Sequence, residues 1–196
     1  MHLVFDIFRG IGAAASVGIR PFLPALVVAA LAAGNAEIHF KHTDYGFLQH
    51  APFLLALVAG TIVLAVAERR LSGDRLDSRP AIAVLGLISA GLGALLFAGI
   101  LSQGGYQTWP GVIGGVVCAA IGAAASRPLF ARVRKRLDAA AAAALPIYAE
   151  AAGLVLAALS ILAPPVGVIG LLGLLWLLLA GRRRDGEKYA GLRILR

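Results

Sequence analysis

Apolar residues run along this chain in blocks of about 20, and each block has the length that roughly 30 Å of hydrocarbon demands of a helix. The blocks fall at residues 10–34, 51–69, 80–101, 110–126, 145–163 and 166–181, separated by short polar or basic segments. This pattern predicts an all-α, polytopic membrane helix bundle of about six transmembrane helices. It makes residues 1–181 a single transmembrane domain and residues 182–196 a basic tail.

Small residues recur inside the blocks at helical spacing. Gly86, Ala90, Ala94 and Ala98 form one stripe, and Gly111, Gly115, Ala119 and Ala123 form another. Such stripes let helix backbones approach closely in lipid, where contact area rather than water expulsion drives association. The fourth block carries a second stripe, Gly114, Cys118, Gly122 and Ser126, which places it near the bundle centre. Stripes that face outward would suit a homodimer or a larger membrane-protein partner.

Composition agrees with the bilayer as solvent. The 196 residues are 60% hydrophobic and 14% charged, with a mean hydropathy of +0.86. A soluble domain of this size could not hide so much apolar surface in one core. Cys118 is the lone cysteine, so no disulfide framework and no cysteine-based metal site arises. A cleaved signal peptide is not expected, because Arg20, Pro21 and Pro24 interrupt what would be its apolar region.

The net charge of +8 is explained by topology, without nucleic acid. Arg69, Arg70, Arg75 and Arg79 follow the second block, five basic residues lie in Arg127 to Arg136, and six lie from Arg182 onward. The alternate connections hold little more than Lys41. The positive-inside rule therefore predicts a multi-pass membrane protein with both termini cytoplasmic. The stretch Arg127 to Asp138 reads as a helix in the headgroup plane, suited to anionic lipid. Tyr45, Tyr106, Trp109 and Tyr148 sit near block ends, where amphipathic rings are at home.

The chemistry concentrates in Gly18-Ile19-Arg20-Pro21-Phe22-Leu23-Pro24, half way along the first block. Pro21 and Pro24 bring no N–H, so a kink or unwound turn is expected there, with freed carbonyls able to meet an ion. A cation at that depth is costly unless it meets water, a carboxylate or carbonyls. Two readings are open for Arg20: contact with an anion or headgroup, or pairing with Glu68 or Glu150 as a structural lock. Glu150, beside Tyr148 and Pro146, is a candidate for proton coupling. The pathway set is thus Gly18, Arg20, Pro21, Pro24, Glu68, Arg127, Pro128, Tyr148 and Glu150. Glu37, His39, His42, Asp44 and His50 in the first loop are weak candidates for a divalent metal such as zinc, in no recognised spacing.

The hexapeptide Ile11 to Ser16 reappears as Ile121 to Ser126, each copy soon followed by Arg-Pro. Halves at 4–101 and 110–181 would then form a 3+3 inverted repeat with a broken first helix, a plan common among transporters. The two copies nonetheless sit at different depths of their blocks.

The opening Gly-Ile-Gly-Ala-Ala-Ala-Ser-Val-Gly-Ile-Arg-Pro-Phe-Leu-Pro resembles the first span of the DUF4126 family of small bacterial integral membrane proteins, with Arg20 and Pro24 on its motif. Arg79-Pro80 and Ser126-Arg127-Pro128 are similar too. An aspartate that follows span two in that family would correspond to Asp74 or Asp77. The resemblance implies an inner-membrane protein and brings no activity or cofactor with it.

Two functions from different classes follow. One is a small transporter or channel-like carrier for a small anion or lipid headgroup, working at the break around Arg20. The other is an accessory subunit of a larger membrane complex. An enzyme is not expected, since no Gly-x-Ser-x-Gly, His-Glu-x-x-His or alcohol-phosphotransferase pattern occurs and no histidine lies within a block.

Overall fold

The computed structural model describes residues 2–70, 79–134 and 136–190. Asp74, Arg75, Asp77 and the last residues of the basic tail lie outside them. Seven α-helices occur among the described residues: α1 (His2–Ile19), α2 (Phe22–Ala33), α3 (Ala51–Arg70), α4 (Arg79–Gln103), α5 (Trp109–Arg134), α6 (Ala139–Leu162) and α7 (Pro165–Ala190). A 3₁₀ turn, Gly46–Gln49, precedes α3. The fold is all-helical, and α1, α3, α4, α5 and α6 are long and apolar enough to cross a bilayer, with a shorter apolar stretch at Pro165–Gly181 of α7.

The first block departs from its expectation of one kinked traverse. It starts earlier, at His2, and divides at Arg20-Pro21 into two helices that double back. Arg9 of α1 meets Glu37, just beyond α2, at 2.7 Å. Had α2 continued along α1, the 12 residues of α2 would by themselves carry the chain about 18 Å further from Arg9 at about 1.5 Å per residue. The break at the prolines is thus a reversal, and α1 and α2 form a helical hairpin with its tip at Arg20.

Contacts along the hairpin fix its direction and depth. Leu3 and Ile7 border a small hollow with Tyr106, Gln107 and Pro110, Gly10 and Gly114 both abut Phe97, and Gly18 abuts Ala119. The helix α1 therefore runs parallel to α5, and its tip reaches only about as far as the middle of that helix. On the other side α1 is antiparallel to α6, with Arg9 donating to the Ile161 carbonyl and Gly153 lying against Pro24 and Arg20. Phe22, at the start of α2, presses on Gly60 midway along α3.

One end of the bundle carries the N-terminal end of α1, loop 34–50, residues 104–108 and the Ala163-Pro164 turn. The other, basic end holds Arg69, Arg70, Arg132, Arg134 and Arg136. The start of α1 and the far end of α7 thus lie at opposite ends, rather than together as expected for the two termini.

Backbone proximity holds the centre. An added Cβ at Gly18 would stand 2.2 Å from the Ala119 carbonyl oxygen, and one at Gly115 would stand 2.3 Å from that of Gly93. Only a residue without a side chain fits such crossings. The small-residue stripes of the fourth and fifth helices are consumed here: Gly111 meets Ala98, and Gly115 meets Gly93 and Ala94. They are internal seams, which removes the reason for expecting a homodimer through them.

Three further expectations change. Arg127 to Arg134 continues α5 with Pro128 inside the helix, so it is no separate helix in the headgroup plane. Helix α6 begins at Ala139, where Asp138 accepts a hydrogen bond from the Ala141 amide at 2.7 Å as an N-cap. The two hexapeptide copies lie on parallel helices that touch, Gly122 against Ala15 and Gly18, which is not the opposed sense of an inverted repeat.

Candidate functional site

The hairpin tip carries Arg20, and two carboxylates from other helices converge on it. Its guanidinium donates to Glu68 near the end of α3, and its Nε lies 3.8 Å from Glu150 Oε1 of α6. All three side chains are largely covered, at 14%, 22% and 23% exposure. One cation thus faces two carboxylates in a mostly apolar setting. Glu150 Oε2 is buried and finds no hydrogen-bond partner among the described residues.

Local sequence places these groups. The Arg20 amide still bonds to the Ser16 carbonyl at 3.2 Å, closing the last turn of α1. Pro21 then offers no N–H to the carbonyl four residues back, and Pro24 does the same one turn later, so α1 cannot run into α2. The Ser16 and Ser160 hydroxyls, both fully buried, bond back to the Ala13 and Ala157 carbonyls within their own helices.

Most of the remaining sequence candidates stand apart. Tyr148 is 68% exposed on the outside of α6. Arg127 donates to the Ile82 carbonyl at 3.3 Å, tying α5 to α4 at the basic end, and Pro128 follows it in the helix. In the first loop, His39 lies at Gln103, whose Oε1 accepts the His39 amide at 3.0 Å. His42 takes a positive φ of 65°. Among the described residues no group of three or more His, Cys, Asp or Glu could hold a metal ion, so His39, His42, Asp44 and His50 are not gathered.

The sequence reading missed a second charged cluster. Arg9 bridges Asp6 at 3.6 Å and Glu37 at 2.7 Å while its Nε donates to the Ile161 carbonyl. It staples both ends of the hairpin to α6. The Asp6-to-Arg9 spacing of one turn was a visible signal for half of it; the Glu37 half depends on the reversal.

Beside the tip, α3 stands off from α4. Phe22, Gly60, Val63, Leu64, Ala67, Pro80, Ala81, Val84, Leu85 and Ile88 border an open, almost wholly apolar groove. It lies between the hairpin tip and the basic end, where the hairpin stops short of the ends of α3 and α5.

Apolar helices of spanning length around an internal charge cluster define a polytopic helical membrane protein. The chain belongs to the DUF4126 family, a domain of unknown function whose family model matches residues 7–184. No curated protein and no solved structure matches it.

Proposed function

We propose that this protein is a small carrier that moves an anion or an anionic headgroup together with a proton, using Arg20 as the binding cation. One observation carries the reading: two carboxylates, Glu68 and Glu150, share a single guanidinium at the tip of the α1–α2 hairpin. A structural lock needs one carboxylate, and the second is a surplus negative charge in a low-dielectric setting. An anion can reach Arg20 only by displacing a carboxylate, and a displaced carboxylate is tolerated there if it takes a proton. Glu150, held at 3.8 Å with its Oε2 unpartnered, is in this scheme both the group that the anion displaces and the proton acceptor, while Glu68 stays paired with Arg20.

The basic end faces the cytoplasm by the positive-inside rule. The hairpin then enters from the opposite side, and the N-terminal end of α1 lies there too. Apolar helices with basic residues gathered at one end fit a bacterial inner membrane.

Proteoliposomes carrying a trapped pH dye test the scheme. An inward gradient of small inorganic or carboxylate anions is expected to drive proton entry in the wild type, to fail in Arg20→Gln, and to lose its proton link in Glu150→Gln. Proton movement equal to that of empty vesicles for every anion would sink the carrier reading. The second reading, an accessory subunit, would then stand on the Arg20–Glu68 pair acting as a lock between α3 and the hairpin.

A further inference from the structure

The groove between α3 and α4 is not used by the proposed carrier chemistry, and its position gives it an occupant. It is lined by apolar side chains, it opens outward between two membrane-crossing helices, and it lies in the half of the bundle nearest the basic end. In a bilayer the neighbour at that opening is an acyl chain, since water there would meet no polar partner. Where the groove runs out past Ala67, the last turn of α3 carries Arg69 and Arg70, both exposed. Adjacent exposed arginines at the membrane surface favour a phosphate by charge and by their fork of donors.

We infer that this groove is a binding site for one anionic phospholipid of the leaflet at the basic end, with an acyl chain between α3 and α4 and its phosphate on Arg69 and Arg70. The site arises because the α1–α2 hairpin stops short of the basic end: Phe22 borders the groove at its inner end, and no helix among the described residues fills the space beneath it. The acyl chain enters past small residues, Ala67 on α3 and Ala81 on α4. The lipid would pack α3 laterally where the described residues do not. This inference needs neither Arg20 nor transport, so it stands or falls separately from the carrier reading.

The test uses the full chain in phosphatidylcholine vesicles containing a small fraction of phosphatidylglycerol or phosphatidylcholine that bears a diazirine in one acyl chain. After illumination, adducts are mapped by mass spectrometry. The phosphatidylglycerol probe is expected to mark Val63, Ala67, Val84 and Ile88 several-fold more than the exposed α7 residues Ile169 and Leu172, and the phosphatidylcholine probe to show no such excess. The surface variant Arg69→Gln/Arg70→Gln is expected to lose most of the phosphatidylglycerol excess, and the groove-filling Ala67→Trp to lose groove adducts while keeping those on α7. Equal marking of groove and α7 overturns the inference, as does an excess that is the same for both lipids or survives loss of both arginines. Protection of the groove from both probes also overturns it and points to a second copy of the chain in that place.

Discussion

A guanidinium away from bulk water is stable only while it is paired, and the geometry around Arg20 makes unequal demands on its two partners. Arg20→Gln strands two carboxylates, whereas Glu150→Gln leaves a neutral amide beside a one-to-one pair. Breaking a covered ion pair by removing one member costs about 3–5 kcal/mol. Arg20→Gln is therefore expected to lower thermal stability in detergent strongly, while Glu150→Gln stays within about 1 kcal/mol of the wild type or exceeds it; equal losses would refute a surplus carboxylate. A second residue-scale prediction concerns Gly18, whose Cβ would press on the Ala119 carbonyl. Gly18→Ala should cost about 1–3 kcal/mol or more, against little for Gly91→Ala, where nothing lies within 4 Å of the added atom. Matching melting curves for these two variants would contradict the close crossing. Arg20, Glu68 and Glu150 were legible in the sequence because charges in or beside apolar blocks stand out against their neighbours. Pairing of Arg20 with one or the other carboxylate was an expectation of the sequence; that both meet it was not legible, since it depends on where the hairpin tip falls relative to α3 and α6.

Among the helices, α3 is the least held. Only 11% of its apolar window is buried inside the bundle, against 50% for α1, and it packs chiefly on α2 and the 3₁₀ turn before it. The Glu68–Arg20 pair is its main polar tie to the centre. Hydrogen exchange should find the amides of α3 less protected than those of α1, and Glu68→Gln should widen the difference; uniform protection would count against α3 as a movable element. The seams of α4 and α5 were readable from four-residue Gly and Ala spacing, which maps directly onto a helix face. The hairpin was hidden for a definite reason. Residues 10–34 have the length of a full traverse, and Arg20-Pro21 announces a break without saying which way the chain leaves it. The reversal is decided by distant partners, Arg9 with Glu37 and Pro24 with Gly153.

For the whole molecule, the division between a basic end and a loop-bearing end follows from the charge pattern of the sequence, and the structure keeps it for the described residues. What changes is the position of the N-terminal end of α1, because a hairpin returns to the side it came from while a traverse does not. The half-depth tip in turn sets both features of interest: it puts Arg20 within reach of two helices, and it leaves the groove beneath. The reversal of α2 on α1 is therefore the central claim. It is tested by single cysteines at His2, Lys41 and Arg136 in a Cys118→Ala background, labelled with membrane-impermeant maleimide in intact cells and in inverted vesicles. The hairpin predicts that positions 2 and 41 label from one side and position 136 from the other. Labelling of positions 2 and 41 from opposite sides would show a full traverse and contradict the account.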